Sequence, residues 1–135
     1  MPKIVIESDR LFQMWKYTVG HRQLLLRSVK SSDQQTRIDV LFKGVSQFHI
    51  PTVLKGLVIA EDPETTDVRE LFALQESEAY TKRLKLFTIR GVDFLGYVSA
   101  IGVFHHEDTG EYYDPSFFPS IDETYGKFEG YPARQ

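Results

Sequence analysis

Alternation of apolar and polar positions dominates the first half of the chain, the mark of strands that bury one face. Trp15, Tyr17 and Val19 alternate with Lys16 and Thr18. Gly20-His21 then predicts a two-residue type II′ hairpin turn, since glycine suits its first position. The returning strand, Arg22 to Val29, sets Leu24 and Leu26 on one face and Leu25, Arg27 and Val29 on the other. After the polar loop 31–35, Ile38, Val40 and Phe42 alternate with Arg37, Asp39 and Leu41. Lys43-Gly44 turns into a strand over Val45 to Ile50, which Pro51 ends or confines to a sheet edge. Leu57-Val58-Ile59 is one more β-branched run. Five strands by residue 60, joined by short connections, predict an antiparallel meander.

The second half opens on an acidic linker, Glu61-Asp62-Pro63-Glu64. Asp67 with Glu70 forms a capping-box pattern, and Val68, Leu71 and Phe72 share a helical face, so a short helix is expected over Asp67 to Phe72. Leu71, Ala73 and Gln75 also alternate as a strand would, and both readings stay open for 67–76. Leu84, Leu86, Thr88 and Arg90 alternate with Lys85, Phe87 and Ile89, a clear strand. Phe94 to Phe104 is apolar nearly throughout, which predicts a strand buried on both faces with bends at Gly96 and Gly102. Beyond Glu107 periodicity dissolves into turn signals at Asp114-Pro115 and Phe118-Pro119.

The whole reads as a mostly-β domain over residues 1–135, with about eight strands and at most one short helix. An antiparallel two-layer sandwich and a strongly curved, partly closed barrel fit equally well. The segment 105–135 is expected to pack on the sheet.

Composition narrows the function more by exclusion than by assignment. Cysteine is absent, which removes disulfides, thiolate metal sites and a cysteine nucleophile and fits a cytoplasmic setting. No apolar run approaches membrane-spanning length, so no membrane partner is expected. The net charge of −3 argues against a nucleic-acid binder. The bases Arg22, Arg27, Lys30, Arg37 and Lys43 near Trp15 and Tyr17 form at most a weak single-strand platform; amphipathic strands explain them better. No cofactor is expected, because neither a phosphate loop nor a dinucleotide fingerprint occurs. His106 and Asp108 share one strand face at i, i+2, but a metal site needs more ligands. No activated-serine context appears, and no catalytic residue is assigned.

Charge and rings are unevenly distributed. Seven of the eighteen aromatics fall between Tyr112 and Tyr131, and the last thirty-one residues hold seven acids against two bases. Large rings need cover, from the chain's own sheet or from a partner. As a docking segment, Tyr112, Tyr113, Phe117 and Phe118 would supply contact area, with Glu111 and Asp114 steering a basic protein. Deleting 111–135 would then abolish capture and leave the rest folded. An alternative is a small-ligand or enzymatic site in the mouth of a curved sheet, lined by Trp15, Tyr17, Phe48 and His49. Self-association through the edge strand ahead of Pro51 is a third reading.

Two stretches carry a resemblance. Arg37-Ile38-Asp39-Val40-Leu41-Phe42-Lys43-Gly44-Val45, with Phe48 and Ile50, resembles a strand-turn-strand signature of small bacterial β proteins. Leu95-Gly96-Tyr97-Val98-Ser99-Ala100 resembles their last long strand. Such patterns occur among immunity proteins of bacterial polymorphic-toxin systems, and the resemblance implies a non-enzymatic, toxin-neutralising binder. It covers about a fifth of the chain, mainly core positions, and carries over no contact residue.

Overall fold

The computed structural model describes residues 3–61 and 84–118, and every regular element within them is a strand. β1 runs Lys3–Thr18, β2 Gln23–Ser28, β3 Arg37–Lys43 and β4 Gln47–His49. β5 runs Val53–Glu61, β6 Lys85–Arg90, β7 Leu95–Ala100 and β8 Gly102–Asp108. All pair antiparallel in one unclosed sheet of order β4-β7-β6-β5-β1-β2-β3-β8. The helix expected over Asp67 to Phe72, and the residues beyond Phe118, lie outside the described residues.

This order corrects the simple meander. β1-β2-β3 and β5-β6-β7 are each meanders, but β1 pairs with β5 in the middle of the sheet and β4 pairs with β7. Two corners carry the chain from one end of the sheet to the other: residues 44–46 between β3 and β4, and Ile101 between β7 and β8. The corners touch, with Ile101 N donating to Lys43 O at 2.9 Å and Ser46 N to Ser99 O at 2.8 Å. Gly44 sits at φ 66°, and a Cβ there would stand 2.5 Å from Ile101 Cδ1, so turn and close approach both require glycine.

Ends that meet demand a sheet that curls on itself. Phe42 on β3 and Phe87 on β6, four places apart in the sheet, bring their rings to 5.7 Å. The concave face collects Phe12, Leu24, Leu26, Val40, Leu54 and Ile59 with the other buried apolar side chains into one main core. Of the two architectures the alternation allowed, the structure is the strongly curved, unclosed one.

Three local expectations change. The first turn is Val19 to Arg22, because β1 and β2 register at Thr18 with Gln23, and its left-handed residue is Arg22 (φ 51°) rather than Gly20. β1 begins at Lys3, far earlier than alternation implied. Its pairing register slips between Ile4 and Ile6, between Ser8 and Leu11, and between Met14 and Lys16, and each slip resets the period-2 pattern. The long apolar run after Phe94 is two strands broken at Ile101. β7 is buried on both faces, whereas β8 is half-buried or exposed.

Candidate docking surface

The convex face over β2, β3 and β8 carries a charged row that sheet register assembles. Arg27 stands opposite Asp39, Asp39 opposite His106, and Arg37 opposite Asp108. Arg27, Arg37 and Asp39 are only 2%, 2% and 1% exposed, so each charge must find its partners inside the protein. Arg27 forks onto Asp39, Nε to Oδ1 at 2.7 Å and Nη2 to Oδ2 at 3.1 Å. Arg37 forks onto Asp108, from Nε and Nη2, both at 3.1 Å.

Residues 110–118 form a strap laid across this row. Arg37 Nη1 donates to the carbonyls of Glu111 (3.1 Å) and Asp114 (2.7 Å), and Nη2 to that of Pro115 (3.0 Å). All five guanidinium N–H groups of Arg37 therefore have acceptors. Arg27 Nη1 reaches the carbonyls of Tyr112 (3.1 Å) and Asp114 (3.3 Å). Ser116 Oγ donates to Asp39 Oδ2 at 2.7 Å. Gly110, the first residue of the strap, lies close against Arg37 because it lacks a side chain; a Cβ would lie 2.5 Å from Arg37 Cζ. Beneath the far end, Leu25 and Leu41 are buried with Trp15 and Phe118 packed on them.

The acids of the segment mostly serve this frame. Glu107 accepts from Arg10 (3.3 Å) and Thr36, and Lys30 pairs with Glu111 at 2.8 Å. Asp114 Oδ2 accepts from the Glu111 N–H at 2.8 Å and closes the turn. Burial works to raise the pKa of Asp108. The hydrogen bonds from Arg37 and Gly110, with the positive fields of Arg37 and His106, outweigh it and hold the carboxyl below its ordinary value of 3.8.

The rings are divided between frame and surface. Trp15 lies under Arg27, whose Cζ is 4.9 Å from the ring centroid, and meets Tyr112 edge-on at 5.0 Å and Tyr113 at 5.9 Å. Phe117 stacks on His106 at 3.7 Å. Yet Tyr113 is 83% exposed, Phe117 57% and Tyr112 40%; only Phe118 is turned inward. Of the six residues expected to dock, Tyr112, Tyr113 and Phe117 offer ring surface. Glu111 offers an exposed, paired carboxylate, Asp114 caps a turn and Phe118 packs on the sheet.

The other groupings expected from the sequence come apart. The slip between Met14 and Lys16 puts Trp15 with Leu25 on the convex face. Tyr17 stays opposite Leu24, with its ring 5.8 Å from that of Phe48. Trp15 thus does not join Tyr17, Phe48 and His49 in one pocket; His49 stacks on Tyr97 at 6.4 Å. An open cleft of about 590 Å³ lies elsewhere, lined by Glu7, Ser8, Asp9, Gly56, Arg90 and Val92 among others. The basic platform does not form either, because Arg27 and Arg37 are buried. Among the described residues, no group of three His, Cys, Asp or Glu is placed to hold a metal ion, and no helix is long and apolar enough to cross a membrane.

The basic set contains Arg27 and Arg37, and the strand-turn-strand stretch contains Arg37 and Asp39, but no motif links these residues to one another or to Gly110 and Ser116. One signal points to them: β2 and β3 are apolar on both faces, Leu24 and Leu26 against Leu25, Val40 and Phe42 against Leu41. Strands apolar on both faces need cover on both, and charges in phase with the outer leucines are then covered too. Comparison with protein-family models, curated proteins and solved structures finds no match for this chain.

Proposed function

We propose that the chain is a non-enzymatic protein-binding domain that docks a basic protein through the strap, with Tyr113 as the central contact and Tyr112 and Phe117 beside it. The observation that carries this reading is a large ring, 83% exposed, on a segment fixed from below by two buried arginines. Loops ordinarily lose conformational freedom on binding, and that loss subtracts from affinity. Here the ordering is already done in the free protein. Tyrosine adds broad amphipathic area at low entropic cost.

Ring faces beside carboxylates suit guanidinium and ammonium groups. The side chains of Glu107 and Glu111 are 53% and 73% exposed although Glu107 is held by Arg10 and Thr36 and Glu111 by Lys30. Toxin neutralisation is the specific form of this reading, supported by the resemblance of the β3–β4 and β7 stretches. Enzymatic and small-ligand readings have less support, since the expected quartet of Trp15, Tyr17, Phe48 and His49 is split between two faces.

The direct test replaces Tyr113 with a photo-crosslinking phenylalanine analogue in the native host and identifies what is captured. The captured protein is then titrated against wild type, Tyr113→Ala and Phe117→Ala. Affinity should fall at least about tenfold in Tyr113→Ala, the ordinary weight of a central aromatic contact, while the melting temperature stays that of wild type. Equal affinity in wild type and in the double variant would end the proposal.

A further inference from the structure

The two ends of the sheet are treated differently. Edge strands present unpaired backbone groups, and proteins blunt them with short length, proline, charge or cover. β4 is blunted in this way, being three residues long and closely followed by Pro51. β8 is not: it runs seven residues without proline, and among the described residues no strand pairs with its far side. Every second residue of β8 turns its N–H and C=O away from β3. Its terminal acids are a weakened barrier, because Glu107 and Asp108 each pair within the chain, with Arg10 and Arg37, and keep only part of their field. Beside this edge Ile101 and Phe104 are left 44% and 47% exposed.

We infer that β8 is a self-association edge, pairing antiparallel with β8 of a second copy about His105. A two-fold axis perpendicular to the sheet keeps matching faces together, so residues opposite each other have numbers of the same parity. Centred on His105, the pairing sets Phe104 against His106 of the other copy and Gly102 against its Asp108. Lys43, the β3 neighbour of Gly102 with its Nζ 5.2 Å from the Phe104 ring centroid, then faces the incoming Asp108. A parallel arrangement would set acid against acid, which disfavours it. The self-match is thus ring to ring and acid to lysine. One strand pair buries little, so the dimer is a weak one in rapid exchange. The edge strand ahead of Pro51, expected earlier for this role, is the blunted one.

Sedimentation velocity on the full chain over a rising concentration series tests this. Wild type and Tyr113→Ala should both shift from monomer toward dimer, and His105→Lys, which sets two ammonium groups at the axis, should stay monomeric with an unchanged melting temperature. Hydrogen exchange supplies a second reading on wild type alone: the outward-facing β8 amides should slow as concentration rises. A wild type that stays monomeric throughout, a dimer that persists in His105→Lys, or one that vanishes in Tyr113→Ala would each overturn the inference. β8 amides insensitive to concentration would overturn it too.

Discussion

Asp39 binds both layers of the site, taking the Arg27 fork from the sheet and the Ser116 hydroxyl from the strap. Replacing it with alanine strands a guanidinium that is 2% exposed, and breaking a buried pair from one side typically costs about 3–5 kcal/mol. Chemical denaturation of Asp39→Ala should show a loss of that order. A loss near that of a surface substitution would mean Arg27 finds water or another acceptor. Asp108 adds a pH dependence whose sign is fixed. Its folded pKa is depressed, so its stabilisation is present above the ordinary value of 3.8 and is lost as pH falls through the lower folded value. The stability gap between wild type and Asp108→Asn, read from urea midpoints at successive pH values, should therefore be full at neutral pH and close in strong acid. A gap that widens on acidification contradicts the assignment. Gly110→Ala pushes a methyl against Arg37, which has no spare space or donor with which to yield. Strap order should fall in that variant, seen as a change in Trp15 emission.

At the scale of elements, legibility followed regularity. β2, β3 and β6 keep an unbroken period of two, and alternation locates them to within a residue or so. β1 does not. Its three register slips let both Val5 and Ile6 approach the core and separate Trp15 from Tyr17, so no single phase describes it. A single phase through residue 15 would set Trp15 beside Tyr17, and the slip between Met14 and Lys16 takes Trp15 away from Tyr17 and Phe48. Topology was hidden for a related reason. A corner such as Gly44 to Ser46 reads locally like a hairpin turn; that it spans the two ends of the sheet is set by the closing hydrogen bonds at Lys43 and Ser99, long-range facts without local signal. The strap was visible as composition but not as a structure. Its backbone is organised by arginines seventy and more residues earlier, and no spacing within 110–118 announces them. For the strap as an element, Arg37→Met removes five donors, taking the donor from the carbonyls of Glu111 and Pro115 and leaving that of Asp114 with Arg27 alone. The strap should then exchange amide hydrogens freely while β5, β6 and β7 stay protected.

At the scale of the molecule, the curled sheet has one core inside and a clasped segment outside, and the two are separable in different degrees. Deleting 111–135 would uncover Leu25, Leu41 and the arginine row together, so loss of binding in a truncated chain would mix loss of contact with loss of fold. Point substitution at Tyr113 avoids this, since that side chain is mostly in water. The excess of acids after residue 104 also takes on a different meaning. In residues 105–118 the four carboxylates first serve the fold, through Arg10, Lys30, Arg37 and a turn, and only Glu107 and Glu111 also stay open to a partner beside the rings.

The central claim is that the ring-bearing strap is a fixed part of the fold, ordered before any partner arrives. Residue-resolved hydrogen exchange on the free, full chain tests it most directly. The amides of Glu111, Asp114 and Phe118 donate within the strap and that of Gly110 to Asp108 at the end of β8, and all four should be protected well above an unstructured peptide, with protection that collapses in Arg37→Met. Exchange of these four amides at unprotected rates in wild type would contradict it, and the docking segment would then be a mobile arm that pays its ordering cost on binding.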